Sequence, residues 1–358
     1  GLRYIDYKSD SFLRQGGALL STQKDHDDAV VYLASAKYQI TPDIMVYALT
    51  GSSWRPGPRV VGNFSVGANG QSGPSALERQ FMNLPPERSK SYEIGAKTAF
   101  LDGRGRLNVS AYYQKFRNYP FRGPSVSYLN YRLVNGAPSA EVGGFNFVSP
   151  VPVTVKGIEA DVSFRILPRW NVSATVAYSD GRIKNGTIAC TDLDRNGVPD
   201  LNATTPTLAQ LQAALPAGQN LAICSGTNRR ALTSPKLGAN LQSEYGFAIG
   251  QRMDGFVRGS ASLFGSTRND PTNTVDDVDS YGLLNLFAGL RDPDGAWEIS
   301  LFGKNILRER QVLSVGSAVT SQTVRTPGSI TYRSEYRTVS VTAPREFGLS
   351  ARIALGSR

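Results

Sequence analysis

The sequence gathers oxygen ligands in one short stretch, DLDRNGVPD, where Asp192, Asp194, Asn196 and Asp200 recur around Gly197. Oxygen donors at this spacing, with a glycine for the sharp bend, match the first nine positions of a calcium loop. The twelfth position, which should supply a bidentate glutamate, is Ala203. An Asp/Asn/Gly turn in a solvated loop explains the same residues and is the preferred reading, with calcium in an extracellular loop as the alternative. Nearby, Cys190 and Cys224 lie in a polar stretch without His or Cys neighbours at metal spacing. A disulfide formed in an oxidising compartment is the leading expectation, and two free thiols the other. The single histidine, His26, sits in DHDD, where a solvated turn is expected. No GxSxG elbow and no GxxxxGK(S/T) phosphate loop occurs, so neither catalysis nor a bound cofactor is expected.

A second chemical set consists of arginines and aromatics outside the regular segments. Arg55, Arg59, Arg79, Tyr128, Tyr131, Arg132, Phe145 and Phe147 suit an anionic, planar or sugar-like ligand. Ordinary loop packing is the competing explanation at each position. The formal charge is +10 over 358 residues, but the cations are scattered singly or in pairs, so nucleic-acid binding is not expected. No apolar run is long enough for a transmembrane helix, which leaves strands that carry half an apolar pattern each.

The elements that must position these residues are strands. From Leu84 to Asn118 the chain reads as a hairpin: Tyr92, Ile94, Ala96, Thr98 and Phe100 share one face, and Glu93, Lys97 and their neighbours the other. Period-two alternation places such sets on opposite sides of a strand. The pattern returns at 29–40, 44–54, 153–166, 170–178, 237–245, 255–264, 281–290, 297–306 and 347–355. Residues 1–8 begin as if in mid-strand, followed by a short polar segment through His26 and Asp28. Irregular stretches at 55–86, 119–152, 180–234 and 307–344 read as loops, with room for short strands within the aromatic-rich 119–152 and a short helix expected at 208–215. The expectation is an all-β chain of about twelve long antiparallel strands, with tight turns and long loops alternating.

A soluble sandwich has the same alternation, so other features decide. Strands of ten or more residues exceed the usual soluble length, and short turns at one end with long loops at the other are the outer-membrane pattern. Tyr92 and Phe100, like Trp170 and Tyr178, lie eight residues apart on one face. At ~3.3 Å per residue and a tilt of about 40°, that spacing spans roughly 20 Å of membrane normal, close to an apolar band edged by aromatic girdles. Glu93, Lys97, Asn108, Glu159, Asp161, Arg165, Asn240, Glu244, Arg258 and Lys304 would then face a wet lumen. An antiparallel transmembrane β-barrel is the expected fold.

Seven segments in order resemble the C-terminal half of a TonB-dependent outer-membrane receptor: GLRY, DIMVYALTGSSWRPG, PPERSKSYEIGAK, VKGIEADVSF, SPKLGANL, WEISLFGKNI and APREFGLSARIAL. The resemblance implies a barrel of about twenty-two strands around an N-terminal plug. Residues 1–358 would then be the C-terminal portion of that barrel, with the plug, the TonB-contact segment and the first strands outside this sequence. The chain ends IALGSR, departing from the terminal aromatic usual in the family. Also implied are energised uptake through the TonB complex, contact with outer-membrane lipid and lipopolysaccharide, and a scarce large solute such as a ferric siderophore. Long loops would be extracellular and short turns periplasmic. The alternatives are a plugless diffusion pore and a receptor for a non-iron ligand such as cobalamin or an oligosaccharide.

Overall fold

The computed structural model describes residues 1–15, 18–58, 73, 75–202, 205–268, 272–315, 321–324, 330–333 and 338–354. Twelve strands form one antiparallel sheet: β1 (Leu2–Gln15), β2 (Ala18–Thr41), β3 (Ile44–Arg55), β4 (Glu87–Phe100), β5 (Gly105–Arg122), β6 (Val148–Leu167), β7 (Trp170–Ile183), β8 (Leu237–Ile249), β9 (Met253–Phe264), β10 (Tyr281–Arg291), β11 (Trp297–Lys304) and β12 (Glu346–Ile353). Each pairs with its sequence neighbour, and β1 and β12 are the two edges among the described residues. Sequential antiparallel pairing needs only short connections, and the turns at one end supply them. In the β4–β5 turn Leu101, Asp102 and Gly103 all take positive φ, at 54°, 56° and 75°. Asp and Gly tolerate that left-handed conformation, whereas Leu101 is held there by the paired arms on both sides.

Register converts the alternation into two distinct faces. Ala48, Ile94, Ala111, Ile158, Tyr178 and Leu237 are successive partners across β3 to β8 and form an apolar row. On the opposite face Lys97, Asn108, Asp161, Thr175, Asn240 and Ser262 make a polar row. The polar row is hydrogen-bonded within itself: Asn108 donates to Asp161 at 2.8 Å, and Ser262 to Asn240 at 2.8 Å. On the apolar face Ile94 and Ile158 remain 65% and 55% exposed. Apolar side chains left bare in continuous rows are stable only beside an apolar medium.

The packed cores lie at the long-loop end. Phe121, Val151, Val153, Val155 and Ile183 form one cluster with the two cysteines, and Phe81, Val126, Tyr128, Phe147 and Leu221 another. A third joins Leu129 to Leu211 and Leu215 beside helix α2 (Leu208–Ala214), the helix expected at 208–215.

Several boundaries differ from the sequence reading. The polar segment around His26 is strand: it extends β2, pairs with Lys8, and its Nε2 lies 2.6 Å from Asp6 Oδ1. Polar residues on both faces obscured it, because alternation vanishes where a strand stands in water on both sides. Within 119–152, β5 continues to Arg122 past a bulge between Phe116 and Tyr119. Val126–Val134 and Ala137–Phe145 then form a hairpin, the short strands that this aromatic-rich stretch has room for. Its turn, Asn135-Gly136, has φ of 52° and 80°, the pattern of a two-residue type I′ connection. The stretch read as loop before β4 holds helix α1 (Ala76–Gln80), started by a capping box of Ser75 and Glu78. β8 runs on through 246–249, where a turn was expected, and Leu355 lies outside the described residues.

Gly289 in β10 lies against the Ile299 carbonyl oxygen, closer than any Cβ could approach. Gly289→Ala should therefore destabilise the β10–β11 pairing by about 1–3 kcal/mol, as overpacking against backbone does. Hydrogen exchange on β11 amides checks it; protection equal to the parent would contradict it.

Candidate functional site

The long-loop end brings together most of the residues with chemical potential. The Val126–Phe145 hairpin stands over the second core cluster, where Tyr128 meets the Phe147 ring edge-on at 5.4 Å and Phe145 meets it at 4.9 Å. Phe147 is fully buried, and Tyr128 is 5% exposed. Burial, with the Glu78 and Glu141 carboxylates near it, pushes the Tyr128 hydroxyl up to about 12. The unfolded chain would ionise at about 10, so the stability this ring contributes is complete below that pH and is lost as pH rises to about 12. Among the ligand candidates, Tyr128, Phe145 and Phe147 thus form the packed base that holds the hairpin.

The remaining candidates offer polar surface. Arg132, on the hairpin, pairs with Glu141 at 2.7 Å, and Tyr131 packs partly against the third cluster. Arg55 ends β3 and bonds to the largely buried Glu87 at 2.7 Å. Arg79 lies exposed on α1. Arg59 lies outside the described residues. The hairpin unites Tyr128, Tyr131, Arg132 and Phe145, whereas Arg55 belongs to the top of the sheet.

The cysteines are joined. Cys190 and Cys224 form a disulfide across a short strand pair, Thr187–Cys190 with Ala222–Ser225, and both are buried in the first cluster. No free cysteine occurs among the described residues. The bond closes a segment that contains both α2 and the acidic loop. In that loop one oxygen each of Asp192, Asp194 and Asp200 come within 4.8 Å of one another. Asp192 accepts the Asn196 and Gly197 N–H groups at 3.0 and 2.9 Å, and Asp200 accepts that of Leu193 at 2.9 Å. These bonds satisfy the turn reading by themselves. The same three carboxylates are the groups that could hold a hard cation such as calcium. The position expected for the twelfth ligand, 203, lies outside the described residues.

Two clefts escaped the sequence reading. A cavity of about 610 Å³ at the long-loop end is lined by Tyr119, Arg122, Asn146, Arg230 and Asp276 among others. Arg230 is partly desolvated, which lowers the affinity of its guanidinium for the proton, and it donates to the Ser234 carbonyl at 2.7 Å. Neither arginine stands in a motif; only the fold brings them together. A second cleft, about 420 Å³, lies on the polar face at the short-turn end between Arg106, Arg165, Arg258 and Glu244. Glu244 accepts from Arg258 at 2.6 Å and from Arg291 at 2.7 Å, and both guanidinium groups lie 5.1 Å from the buried Phe256 ring. This face is built from interlocked charge, which water or a polar partner can cover but lipid cannot.

A family model described as TonB dependent receptor-like, beta-barrel matches residues 1–306. The probable TonB-dependent siderophore receptor PiuA of Acinetobacter baumannii is 25% identical over 227 residues, covering 60% of this chain and 27% of that protein. The solved ferric yersiniabactin uptake receptor FyuA of Yersinia pestis superposes with a TM-score of 0.60 at 15% identity, covering 98% of this chain and 42% of its own. The solved siderophore receptor PiuA of A. baumannii gives 0.59 at 17%, covering 98% and 39%. The ferripyoverdine receptor of Pseudomonas aeruginosa gives 0.53 at 16%, covering 98% and 35%. The chain therefore spans less than half the length of the proteins it matches, and the structural likeness is one of fold.

Removing the disulfide should loosen the segment it closes. Cys224→Ser should destabilise the loop assembly by about 3–4 kcal/mol in the chain-entropy model and raise proteolytic cleavage within 191–223, leaving the sheet intact. Limited proteolysis followed by mass spectrometry checks this, and an unchanged digestion pattern would contradict it.

Proposed function

Because the chain belongs to the TonB dependent receptor-like β-barrel family, we propose that it is the C-terminal portion of the barrel domain of an outer-membrane receptor. The plug domain and the first strands belong to the receptor outside these 358 residues. The completed receptor takes up a scarce large solute, a ferric siderophore or other iron complex, and is energised by the TonB complex through its N-terminal segment. No catalytic role is assigned. The observation that carries this reading is the family match over residues 1–306. The relatives support iron as the cargo, since those named above are a siderophore receptor, a ferric yersiniabactin receptor and a ferripyoverdine receptor.

In this reading the twelve strands close with the missing ones into a barrel of about twenty-two, since a sheet with two edges is otherwise exposed to aberrant pairing. The apolar face meets lipid and the polar face lines the lumen. Loops bearing the disulfide, the hairpin and the acidic turn are extracellular, and the short turns are periplasmic. Arg55, Arg79, Tyr131 and Arg132 offer cationic and aromatic contacts to an anionic iron complex. Arg122 and Arg230 of the long-loop cleft join them.

Expression of the receptor should rise under iron limitation. Cells with this receptor as their sole route should accumulate iron-55 supplied as a ferric siderophore, and an uncoupler of the proton-motive force should stop it. Energy-independent passage, together with high steady conductance in planar bilayers, would instead identify a diffusion pore. A receptor unresponsive to iron that carries cobalamin or an oligosaccharide would overturn the assignment of cargo.

A further inference from the structure

At the short-turn end the polar face carries more cations than its own acids engage. The Arg165 backbone N–H donates to the Arg104 carbonyl at 2.8 Å, so these two residues stand opposite each other where β5 and β6 begin and end. The same cross-strand row continues through Asn171 and Glu244 to Arg258. Two residues further along β5, Arg106 lies on the same face, opposite Ser163. Arg104, Arg106 and Arg165 are exposed, and none forms an ion pair among the described residues. Glu244 is already held by Arg258 and Arg291 at 2.6 and 2.7 Å, and Asp161 accepts from Asn108 at 2.8 Å.

A wet wall does not require this charge. The next row across the cleft, Ser163, Ser173, Gln242 and Ser260, is neutral. Like charges set opposite each other weaken a sheet, so three unpaired guanidinium groups are a cost that serines avoid. At the backbone Arg104 is about 5 Å from Arg165 and about 7 Å from Arg106, which concentrates positive potential on one side of the cleft. The cleft is about 420 Å³, enough for a compact anion but not for a folded domain. Planar guanidinium forks match paired anionic oxygens, the kind that enclose a chelated iron(III).

We propose that this cleft is an exit-side anion site, where Arg104, Arg106 and Arg165 hold a negatively charged iron(III) chelate as it leaves the barrel for the periplasm. It is separate from the arginines of the long-loop cleft and lies at the other end of the same wall. Exposed arginine contacts are weakened by water and salt, so the site draws the chelate inward and still releases it. The proposal rests on the reading above, in which the cargo is an anionic iron complex and the short turns are periplasmic.

The test uses the full receptor that carries this chain, reconstituted in lipid, with a nitroxide attached at Ser173→Cys inside the cleft. Trisoxalatochromate(III), a trianionic tris-chelate, stands in for the iron complex, and a neutral nickel chelate reports plain access. The ratio of their collision rates should exceed that of the free label by about tenfold, the lower end of what a charged cleft achieves. It should fall to the free-label value in the combined variant Arg104→Ser, Arg106→Ser, Arg165→Ser, and persist when the same three residues are changed to Lys. Arg106→Ser alone should about halve the excess, and carries the test if the combined variant fails to fold. In the iron-55 measurement above, the combined variant should accumulate iron about tenfold more slowly, yet bind the ferric siderophore like the parent when the uncoupler is present. A ratio unmoved by the substitutions, a label shielded from both complexes, or undiminished iron-55 accumulation would overturn the proposal. So would a variant that newly admits bulky antibiotics, since these arginines would then be holding the plug. A parent that takes up no iron-55 refutes the receptor reading, whereas parent uptake with an unmoved ratio refutes this site alone.

Discussion

Register is the constraint on which this molecule depends. Each inner strand's backbone N–H and C=O groups are satisfied by its two neighbours, and a slip of one residue would turn every side chain to the opposite face. In lipid such a slip would bury Glu93, Asp161 and Glu244 in hydrocarbon and turn Ile94, Ile158 and Leu301 toward water. Side chains lock the register at several points. Tyr47 donates to Glu93 at 2.7 Å across β3 and β4, and Arg258 and Arg291 hold Glu244 from two successive strands. At one of the register shifts, between Phe116 and Tyr119, the sheet passes from exposed wall to the packed base of the loops.

That transition divides the chain into two kinds of structure. The wall carries little conventional core, so its stability derives from ladder hydrogen bonds, cross-strand pairs and the apolar medium around it. The long-loop end is packed like a small soluble domain, with three clusters, a disulfide and two capped helices. A surface built this way can vary in its outer residues while Phe147, Val151 and Ile183 hold the scaffold. At the same level of the sheet's apolar face Arg88, Lys90, Lys115 and Arg117 stand exposed, so one end of the wall presents different chemistry on its two faces.

The sequence made the wall legible wherever one face meets an apolar medium and the other water. Ile158, Ala160 and Val162 against Glu159, Asp161 and Ser163 announce β6 without any alignment. Legibility failed where both faces are wet, as around His26, and where both are buried, as near Phe147. The hairpin was signalled by Asn135-Gly136, but its flanks lack the alternation that would have drawn attention to that dipeptide. The burial of Tyr128 and Phe147 was not legible, since aromatic residues in an irregular stretch suit a binding surface and a packed base equally. Arg122 and Arg230 converge only through folding, and the Lys90–Lys115 and Arg88–Arg117 pairs require the register itself. The disulfide was expected from composition and loop setting, and its closing of the loop that carries Asp192 is a matter of strand pairing.

The most direct test of a two-faced membrane wall is site-directed spin labelling along β6, one residue at a time from 157 to 163, in the receptor reconstituted in lipid. Oxygen partitions into hydrocarbon and a neutral nickel chelate into water, so their collision rates report the medium at each label. A membrane wall predicts a period of two, with 158, 160 and 162 accessible to oxygen and shielded from nickel, and 157, 159, 161 and 163 shielded from oxygen. Equal nickel access at both sets would contradict the assignment of the apolar face to lipid, and with it the receptor reading built on that wall.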